Sequence, residues 1–384
     1  MPGSGATREC WAVVAPGLEA LVAAELRALR LAPGTTSPGG VAFTATDAGV
    51  FTANLWLRTA SRVLVRAAEF RATAFHELER LARQVRWERF VRVGAAVRLR
   101  VTCHKSRLYH SDAVAERVGD AIARRVRGVT IANAMAKQED EVAAEGAQLF
   151  IVRLQHDVCS ISADSSGELL HRRGYRLATA KAPLRETLAA GALMALQWEG
   201  REPLLDPMCG AGTIPIEAAL IARRIAPGIE RGFSCEQWPN APVAEFEAQR
   251  AAARAAALPR APSPLLASDR DAGAIGAAEA NAARAGVLAD IEFRACALSA
   301  AQPPAKPGLL VTNPPYGARV GAGRDLRGLY AQLGKTARAK CAGWRLALLS
   351  ADRRLEAQVG LPFATALRFR NGGIPVRLIA AQVP

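Results

Sequence analysis

No CxxC pair occurs in the chain: its seven cysteines are widely scattered, and its five histidines form no group at ligand spacing. Those absences argue against a structural zinc, any other metal centre and a disulfide framework, and they make a reducing, cytoplasmic setting the expected one. The N-terminus lacks a basic, apolar, small-residue signal pattern, and nowhere do about 18 apolar residues run uninterrupted, so no membrane partner is expected. No repeat with a period of about 20 to 50 residues is present either. Acid is scarce relative to base, with 35 Asp and Glu against 50 Lys and Arg, a formal net charge of +15. That surplus favours an anionic partner, nucleic acid first, against the blander reading of a solvated basic surface. What is present is globular in texture, because half of the 384 residues are hydrophobic and 22% are charged. The length suffices for two or three domains, each with its own core.

Residues 10–31, "CWAVVAPGLEALVAAELRALRL", read as a strand, a Pro-Gly turn and an amphipathic helix with Leu18, Leu21, Val22, Leu26 and Leu29 on one stripe. "VAFTAT" follows as a strand. From Arg80 to Arg107 there are eight Arg and one Lys against a single acid, Glu88, with Trp87 and Phe90 interleaved. Within that stretch "AAVRLRVTC" alternates, which puts Arg98 and Arg100 on one strand face. "SDAVAERVGDAIARRV" opens with a Ser-Asp cap signal and reads as a helix. The strand "QLFIVRLQ" and a hairpin around Asp164–Gly167 complete an α+β module that ends near residue 170. The polar, basic stretch from His171 to Pro183 reads as a linker.

Beyond it, strands alternate with helices: "PLLD", "GTIPIEAALIARRI", "PLLASD", "AGAIGAAEANAARAG", "IEFRA" and "GLLVTN". Such alternation predicts a parallel, doubly wound sheet. A Pro-, Ala- and Arg-rich insertion, about residues 226–262, interrupts it, with "VAEFEAQRAAARAAAL" as its one helix.

The first strand-to-helix turn, "LLDPMCGAGTIPIEAA", allows close backbone approach and presents free helix N–H groups. It lacks the third glycine of the dinucleotide fingerprint and is not GxxxxGK[ST], which argues against phosphate binding by a P-loop. Asp206 at the strand end favours a cationic amino-acid moiety over a pyrophosphate, and S-adenosylmethionine carries both an α-ammonium and a sulfonium. Asp269 ends a second strand, where an acid commonly accepts from two ribose hydroxyls; Asp271 next to it suits a helix cap. A third site-bearing strand end is "LLVTNPPYGARVG". Pro314 and Pro315 end that strand, leaving Asn313 with an amide oxygen and Tyr316 with a ring. An exocyclic base amine is a poor nucleophile because its lone pair is delocalised. Acceptors on its two hydrogens, the Asn313 oxygen and the Pro314 carbonyl, would turn that lone pair toward a methyl group, with Tyr316 stacking on the base.

These motifs together resemble the THUMP-domain class I methyltransferases that make N2-methylguanosine in RNA, most closely the RlmL type acting on 23S ribosomal RNA. The likeness covers nearly the whole chain and is carried by "HRRGYR", "APLRETLAA", "LLDPMCGAGTIPIEAA", "APGIERGF", "EANAARAG" and "TNPPYGAR", in that order. It implies an N-terminal α+β ferredoxin-like domain (1–69), a THUMP RNA-binding domain (70–165), a linker (166–182) and an α/β Rossmann-like methyltransferase domain (183–384) using S-adenosylmethionine. It also implies cofactor contacts from Asp206, Pro207, Met208, Cys209, Gly210, Gly212 and Thr213, from Asp269 and Arg270, from Cys296 and Ala297, and from Asn313. The tetrapeptide Asn313, Pro314, Pro315 and Tyr316 is the implied catalytic element. Many relatives carry an Asp at the adenine-binding position that Ala297 fills here, which leaves backbone groups near Cys296 to serve. Some fuse a second methyltransferase domain, which this sequence does not contain.

Arg98, Arg100, Lys105 and Arg107 are the candidate phosphate contacts of the RNA-binding half. A C5-pyrimidine methyltransferase would need a nucleophilic thiolate beside a proline; no Pro-Cys dipeptide occurs, and Cys209 reads as packing. Adenine-N6 methylation of DNA or glutamine methylation would suit the same tetrapeptide but not the N-terminal half. A tRNA guanine-N2 enzyme and a noncatalytic assembly factor are the rival expectations. A monomer is expected.

Overall fold

The computed structural model describes residues 6–132, 146–177, 184–304, 307–316, 325–371 and 373–384. It divides into two compact units, one formed by Met1–Val14, Ala23–Leu170 and Gly232–Arg250, the other by Ala15–Val22, His171–Arg231 and Ala251–Pro384.

The first unit begins with β1 (Arg8–Val14), the portion of α1 (Glu19–Ala28) from Ala23 on, β2 (Pro33–Ser37), β3 (Gly40–Ala45), α2 (Asp47–Trp56) and β4 (Ala60–Arg71). It continues with α3 (Phe75–Ala82), β5 (Ala96–His104), α4 (Ser111–Arg125), β6 (Thr130–Ala132), β7 (Gln148–Gln155) and β8 (Val158–Asp164). All eight strands join one sheet in the order β2-β3-β1-β4-β8-β7-β5-β6. Alternation sets which face is covered: in β1, Cys10, Ala12 and Val14 are buried while their neighbours are not. In β5, Val97 and Leu99 are buried and Arg98 and Arg100 share the opposite face, as the alternation predicts.

Two expectations for this region are corrected. The hairpin is not at Asp164–Gly167 but between β7 and β8, where His156 and Asp157 form a two-residue turn with φ of 51° and 65°. Positive φ at both turn residues matches strand twist, and Asp tolerates it better than a β-branched residue would. Asp164 is instead fully buried and ion-paired with Arg62, while Ser165 and Ser166 bond to Asn54. The Ser-Asp cap of α4 is also not formed: the N-cap is His110, with no side-chain bond. Trp87 and Phe90, interleaved in the basic stretch, are core residues packed edge-on to Phe150.

The second unit contains α5 (Glu186–Ala195), β9 (Leu204–Asp206), α6 (Thr213–Ala222), β10 (Leu265–Asp269), α8 (Ala272–Arg284), β11 (Ile291–Ala295) and β12 (Leu309–Thr312). It ends with α9 (Arg327–Lys340), β13 (Arg345–Ser350), α10 (Arg353–Val359), β14 (Ala364–Asn371) and β15 (Ile374–Gln382). Helix α7 (Val243–Ala255) lies in the insertion, and its portion up to Arg250 belongs to the first unit, where Phe246 stacks on Phe51. The sheet order is β11-β10-β9-β12-β13-β15-β14, with β11, β10, β9, β12 and β13 parallel and β15 antiparallel to both of its neighbours. The short parallel strands are apolar on both faces because both are covered: every residue of β9 and β12 is buried. The chain moves outward from β9 to β11 and then returns to place β12 on the other side of β9. That reversal makes the carboxyl ends of β9 and β12 a topological switch point, the usual ligand position in such sheets.

Candidate functional site

Asp206, Asp269 and Asn313 stand at or just after the carboxyl ends of β9, β10 and β12, so parallel pairing brings three distant stretches of sequence to one edge. Asp206 is 1% exposed. Burial raises its carboxyl to about 7, the Thr312 hydroxyl and the Met208 N–H pull it back, and the charge of Asp269 adds to the rise. Between them the turn after β9 is held on both sides. Gly210 donates its N–H to Asp269 Oδ2 at 3.0 Å, and Asn281 of α8, fully buried, donates its amide to the Ala211 carbonyl at 3.0 Å.

The glycines of this turn have different reasons. Both take positive φ, 53° at Gly210 and 83° at Gly212. A Cβ on Gly212 would meet Ala278 Cβ at 2.9 Å, so this glycine lets α6 and α8 approach. A Cβ on Gly210 would meet nothing within 4 Å, so open space adjoins the backbone there. Thr213 begins α6, and Pro207, Met208 and Cys209 fill the turn. Cys209 is buried and its thiol is pushed up by burial, then by Asp206 and Asp269; it is a packing thiol rather than a nucleophile.

The second acid is tied into this turn as well. Asp269 Oδ1 accepts from the Asp271 N–H at 3.0 Å, and the Asp269 carbonyl accepts from the Cys296 N–H at 2.9 Å. Asp271 caps α8 through the N–H groups of Gly273 and Ala274. Arg270 follows β10, and Ala297 is exposed after β11, next to Cys296. The backbone around Cys296 is therefore fixed beside Asp269, with no carboxylate at residue 297.

At the end of β12, Asn313 is half-buried and its Oδ1 has no hydrogen-bond donor among the described residues. A buried amide oxygen without a donor is costly, and this one stands at the end of a strand beside the glycine turn. The Pro315 carbonyl accepts from the Tyr330 hydroxyl, and the Tyr316 hydroxyl accepts from the Asn371 amide. Tyr316 is only 8% exposed, so its ring is packed rather than displayed. Residues 317–321, the rest of the quoted motif, lie outside the described residues.

Sequence reasoning missed a buried polar clasp under this turn. His171–Leu177, expected as a linker, is anchored: the Tyr175 hydroxyl donates to Glu217 at 2.9 Å, and Arg173 pairs with the same carboxylate at 3.2 Å. Arg176 donates to Thr213 Oγ1 at 2.8 Å and pairs with Glu186 at 3.1 Å. The available signal was the basic, Tyr-containing "HRRGYR" together with two acids on otherwise apolar helices, Glu186 and Glu217, both of which are buried. Among the described residues no group of His, Cys, Asp and Glu is arranged to hold a metal, and no helix is long and apolar enough to cross a membrane.

A doubly wound sheet with a glycine turn after its first strand, acids ending two adjacent strands and an Asn-Pro-Pro-Tyr exit beside them defines a class I methyltransferase domain. The chain belongs to the family described as "RMKL-like, methyltransferase domain", matched over residues 173–377, and residues 9–64 match the RlmL ferredoxin-like domain. It is 33% identical to "Putative RNA methyltransferase slr0064" of Synechocystis sp., over 99% of this chain and 98% of that protein. To the ribosomal RNA large subunit methyltransferase K/L of Syntrophotalea carbinolica it is 35% identical over 96% of this chain and 53% of that protein. The chain thus spans about half the length of the K/L relatives it matches. Among solved structures, "SMU.472, a putative methyltransferase complexed with SAH" superposes with a TM-score of 0.86 at 28% identity, covering 98% of both chains.

Proposed function

We propose that this protein methylates the exocyclic N2 amine of a guanine in 23S ribosomal RNA, with S-adenosylmethionine as the cofactor. The observation that carries the reading is the Asn313 oxygen at the end of β12, without a donor among the described residues and beside the acid-lined glycine turn. The residues present suit the cofactor: open space adjoins the Gly210 backbone, a buried acid at Asp206 matches a cationic ammonium, and Asp269 matches a ribose diol. We assign Asp206, Pro207, Met208, Cys209, Gly210, Gly212 and Thr213 to its amino-acid end, and Asp269 and Arg270 to its ribose. The Cys296 and Ala297 backbone is assigned to its adenine. When bound, S-adenosylmethionine supplies an electrophilic methyl on a sulfonium.

Asn313 Oδ1 and the Pro314 carbonyl accept the two amine hydrogens and hold the nitrogen lone pair out of conjugation with the base, while Pro315 stiffens the pair. Such catalysis works by orientation and fixed dipoles and needs no covalent intermediate. Tyr316, with its ring packed and its hydroxyl held, anchors this exit, and it stacks on the base only if the ring turns outward. Arg98, Arg100, Lys105 and Arg107 are assigned to RNA phosphates, consistent with the shared face of the first two and the exposure of the last two.

The test is mass mapping of N2-methylguanosine in ribosomal and transfer RNA from a deletion strain complemented with wild type or Asn313→Ala. Loss of one 23S mark, restored by wild type and not by N313A, is the expected result. Loss of a tRNA mark would assign the enzyme to tRNA. Loss of a DNA N6-methyladenine would move the reaction to adenine. No lost mark at all would make the chain a noncatalytic RNA-binding factor.

A further inference from the structure

Three strands of the first unit, β4, β5 and β7, finish at one end of their sheet, where β8 begins. Arg71 at the end of β4 pairs with Val158 at the start of β8, and His104 at the end of β5 pairs with Gln155 at the end of β7. Register therefore gathers Arg71, His104, the His156–Asp157 turn and the loop that leaves β5. Asp157 fixes that loop. Its Oδ1 accepts from the Arg107 N–H at 2.8 Å, its own N–H donates to Ser106 Oγ at 3.1 Å, and its carbonyl accepts from the Ala72 N–H at 2.9 Å. The His156 N–H donates to the His104 carbonyl at 3.3 Å. Lys105, His156 and Asp157 all take positive φ, a conformation held in place by these bonds.

The fixed loop turns Leu108 inward, where it is buried, and displays Lys105, Arg107, Tyr109 and His110. Tyr109 is 68% exposed, and it is the only Trp, Tyr or Phe exposed among the described residues. Its ring lies 4.0 Å from that of His110, tilted by 40°, which leaves its other face open. From His104 to His110 there is no carboxylate. Asp157 accepts the Arg107 backbone and lies 3.8 Å from Arg71, itself 73% exposed; Asp112 and Glu116 on α4 are the next acids along the chain. A large aromatic ring held in water without burial is unfavourable, and its rigid display among cations fits a partner that is both anionic and aromatic.

We infer that this sheet end binds an unpaired segment of RNA, stacking one base on Tyr109 while Arg71, Lys105 and Arg107 contact the flanking phosphates. The inference rests on the RNA reading above and adds the form of RNA taken here. Bases in a duplex present only their edges, so a free ring face discriminates for an unstacked base.

The test uses the full chain and fluorescence anisotropy with two RNAs, a hairpin carrying a single-stranded tail and the same hairpin blunt-ended. Y109A should weaken binding to the tailed RNA on the order of tenfold, leaving its salt slope and the blunt affinity unchanged. Y109F should bind as wild type, since the ring face and not the hydroxyl is used. R107Q should weaken both RNAs and lower the slope by about 0.7 to 0.9. Wild-type affinity of Y109A for the tailed RNA, or an equal loss on both RNAs, would overturn the inference. A Y109A defect seen with RNA-free ribosomal proteins and not with RNA would do the same and assign the surface to a protein. Methyl incorporation is read on the same preparations: its absence in wild type counts against the proposed reaction, while the anisotropy decides stacking separately.

Discussion

The buried hydroxyl of Tyr330 donates to the Pro315 carbonyl across 3.3 Å, so a side chain of α9 holds the strand exit that carries Asn313. One residue further on, the Asn371 amide at the end of β14 donates to the Tyr316 hydroxyl at 3.2 Å. Two consecutive residues of the exit are thus tied to two different elements of the second unit. Catalysis by orientation depends on such supports, because a displacement of about an ångström can cost on the order of a hundredfold in rate.

Tyr330→Phe removes one hydroxyl and leaves the ring in its core position among Leu333, Leu346 and Leu348. The expected loss of stability is about 1 kcal/mol, the net worth of a typical hydrogen bond. The methyl-transfer rate should fall on the order of tenfold, because the Pro315 carbonyl and the amide before it gain freedom. Affinity for S-adenosylmethionine should not change. Single-turnover kinetics beside a cofactor titration separate the two, and an unchanged rate would show that the exit is held without Tyr330.

Asp206 makes a prediction in pH. Its carboxyl is raised from an ordinary 3.8 to about 7, mainly by burial, so between those values the folded chain binds more protons than the unfolded one. Stability without cofactor therefore falls as pH rises across that window, and the penalty above it is on the order of 4 kcal/mol. Glu25, Asp164 and Glu186 are also raised by burial and act with the same sign, so wild type alone does not isolate Asp206. Asp206→Asn, uncharged throughout, should melt above wild type at about pH 8 and match it near pH 4. Cofactor affinity should show the opposite trend in wild type, rising with pH through 7 as the ionised carboxylate becomes available to a cation. Melting curves and calorimetric titrations at both pH values check this, and a D206N curve parallel to wild type would refute it.

The positive face of β5 is tested through salt. Arg98 and Arg100 share one side of the strand, with Val97 and Leu99 buried on the other. Replacing both by Gln should reduce the slope of log affinity against log salt by roughly 0.7 to 0.9 per lost phosphate contact, with little effect on folding. Unchanged slope and affinity would return both arginines to the solvated surface.

Much of the second unit was legible because its signals are local. Short apolar runs ending in Asp206, Asp269 and Asn313, each followed by a helix or by a Pro-Pro stop, report their own structure and put these three polar side chains at strand ends. What could not be read depends on partners far apart in sequence. Phe246, in an insertion that interrupts the second unit's alternation of strands and helices, belongs to the first unit, where its ring stacks on Phe51. The hairpin shifted because Asp164 looked like a turn residue, whereas its burial is compensated by Arg62, 102 residues away. "HRRGYR" has no apolar period at all, since ion pairs and hydrogen bonds rather than a hydrophobic stripe hold it. Asn281 looked like one polar residue on an alanine-rich helix, and only its bond to the Ala211 carbonyl shows that it supports the glycine turn.

That clasp gives the last prediction. Glu217 on α6 is fully buried, and its carboxylate is compensated by Arg173 at 3.2 Å and the Tyr175 hydroxyl at 2.9 Å. Burial and the Glu217 charge both raise the Tyr175 phenol, so it remains a donor across the accessible pH range. Tyr175→Phe leaves the carboxylate one donor short, at a cost of about 1 to 3 kcal/mol. For a unit of this size that lowers the melting temperature by roughly 2 to 4 °C per kcal/mol. Methyl transfer well below the transition should stay at the wild-type rate, since Tyr175 touches none of the reacting groups. Arg176→Met should behave differently, because Arg176 donates to Thr213 Oγ1 at the start of α6. Its loss should weaken cofactor binding as well as stability. Thermal melts with and without S-adenosylmethionine, beside a binding titration, distinguish the two variants, and a matching loss of affinity in Y175F would show that the whole clasp, not Arg176 alone, sets the geometry of the turn.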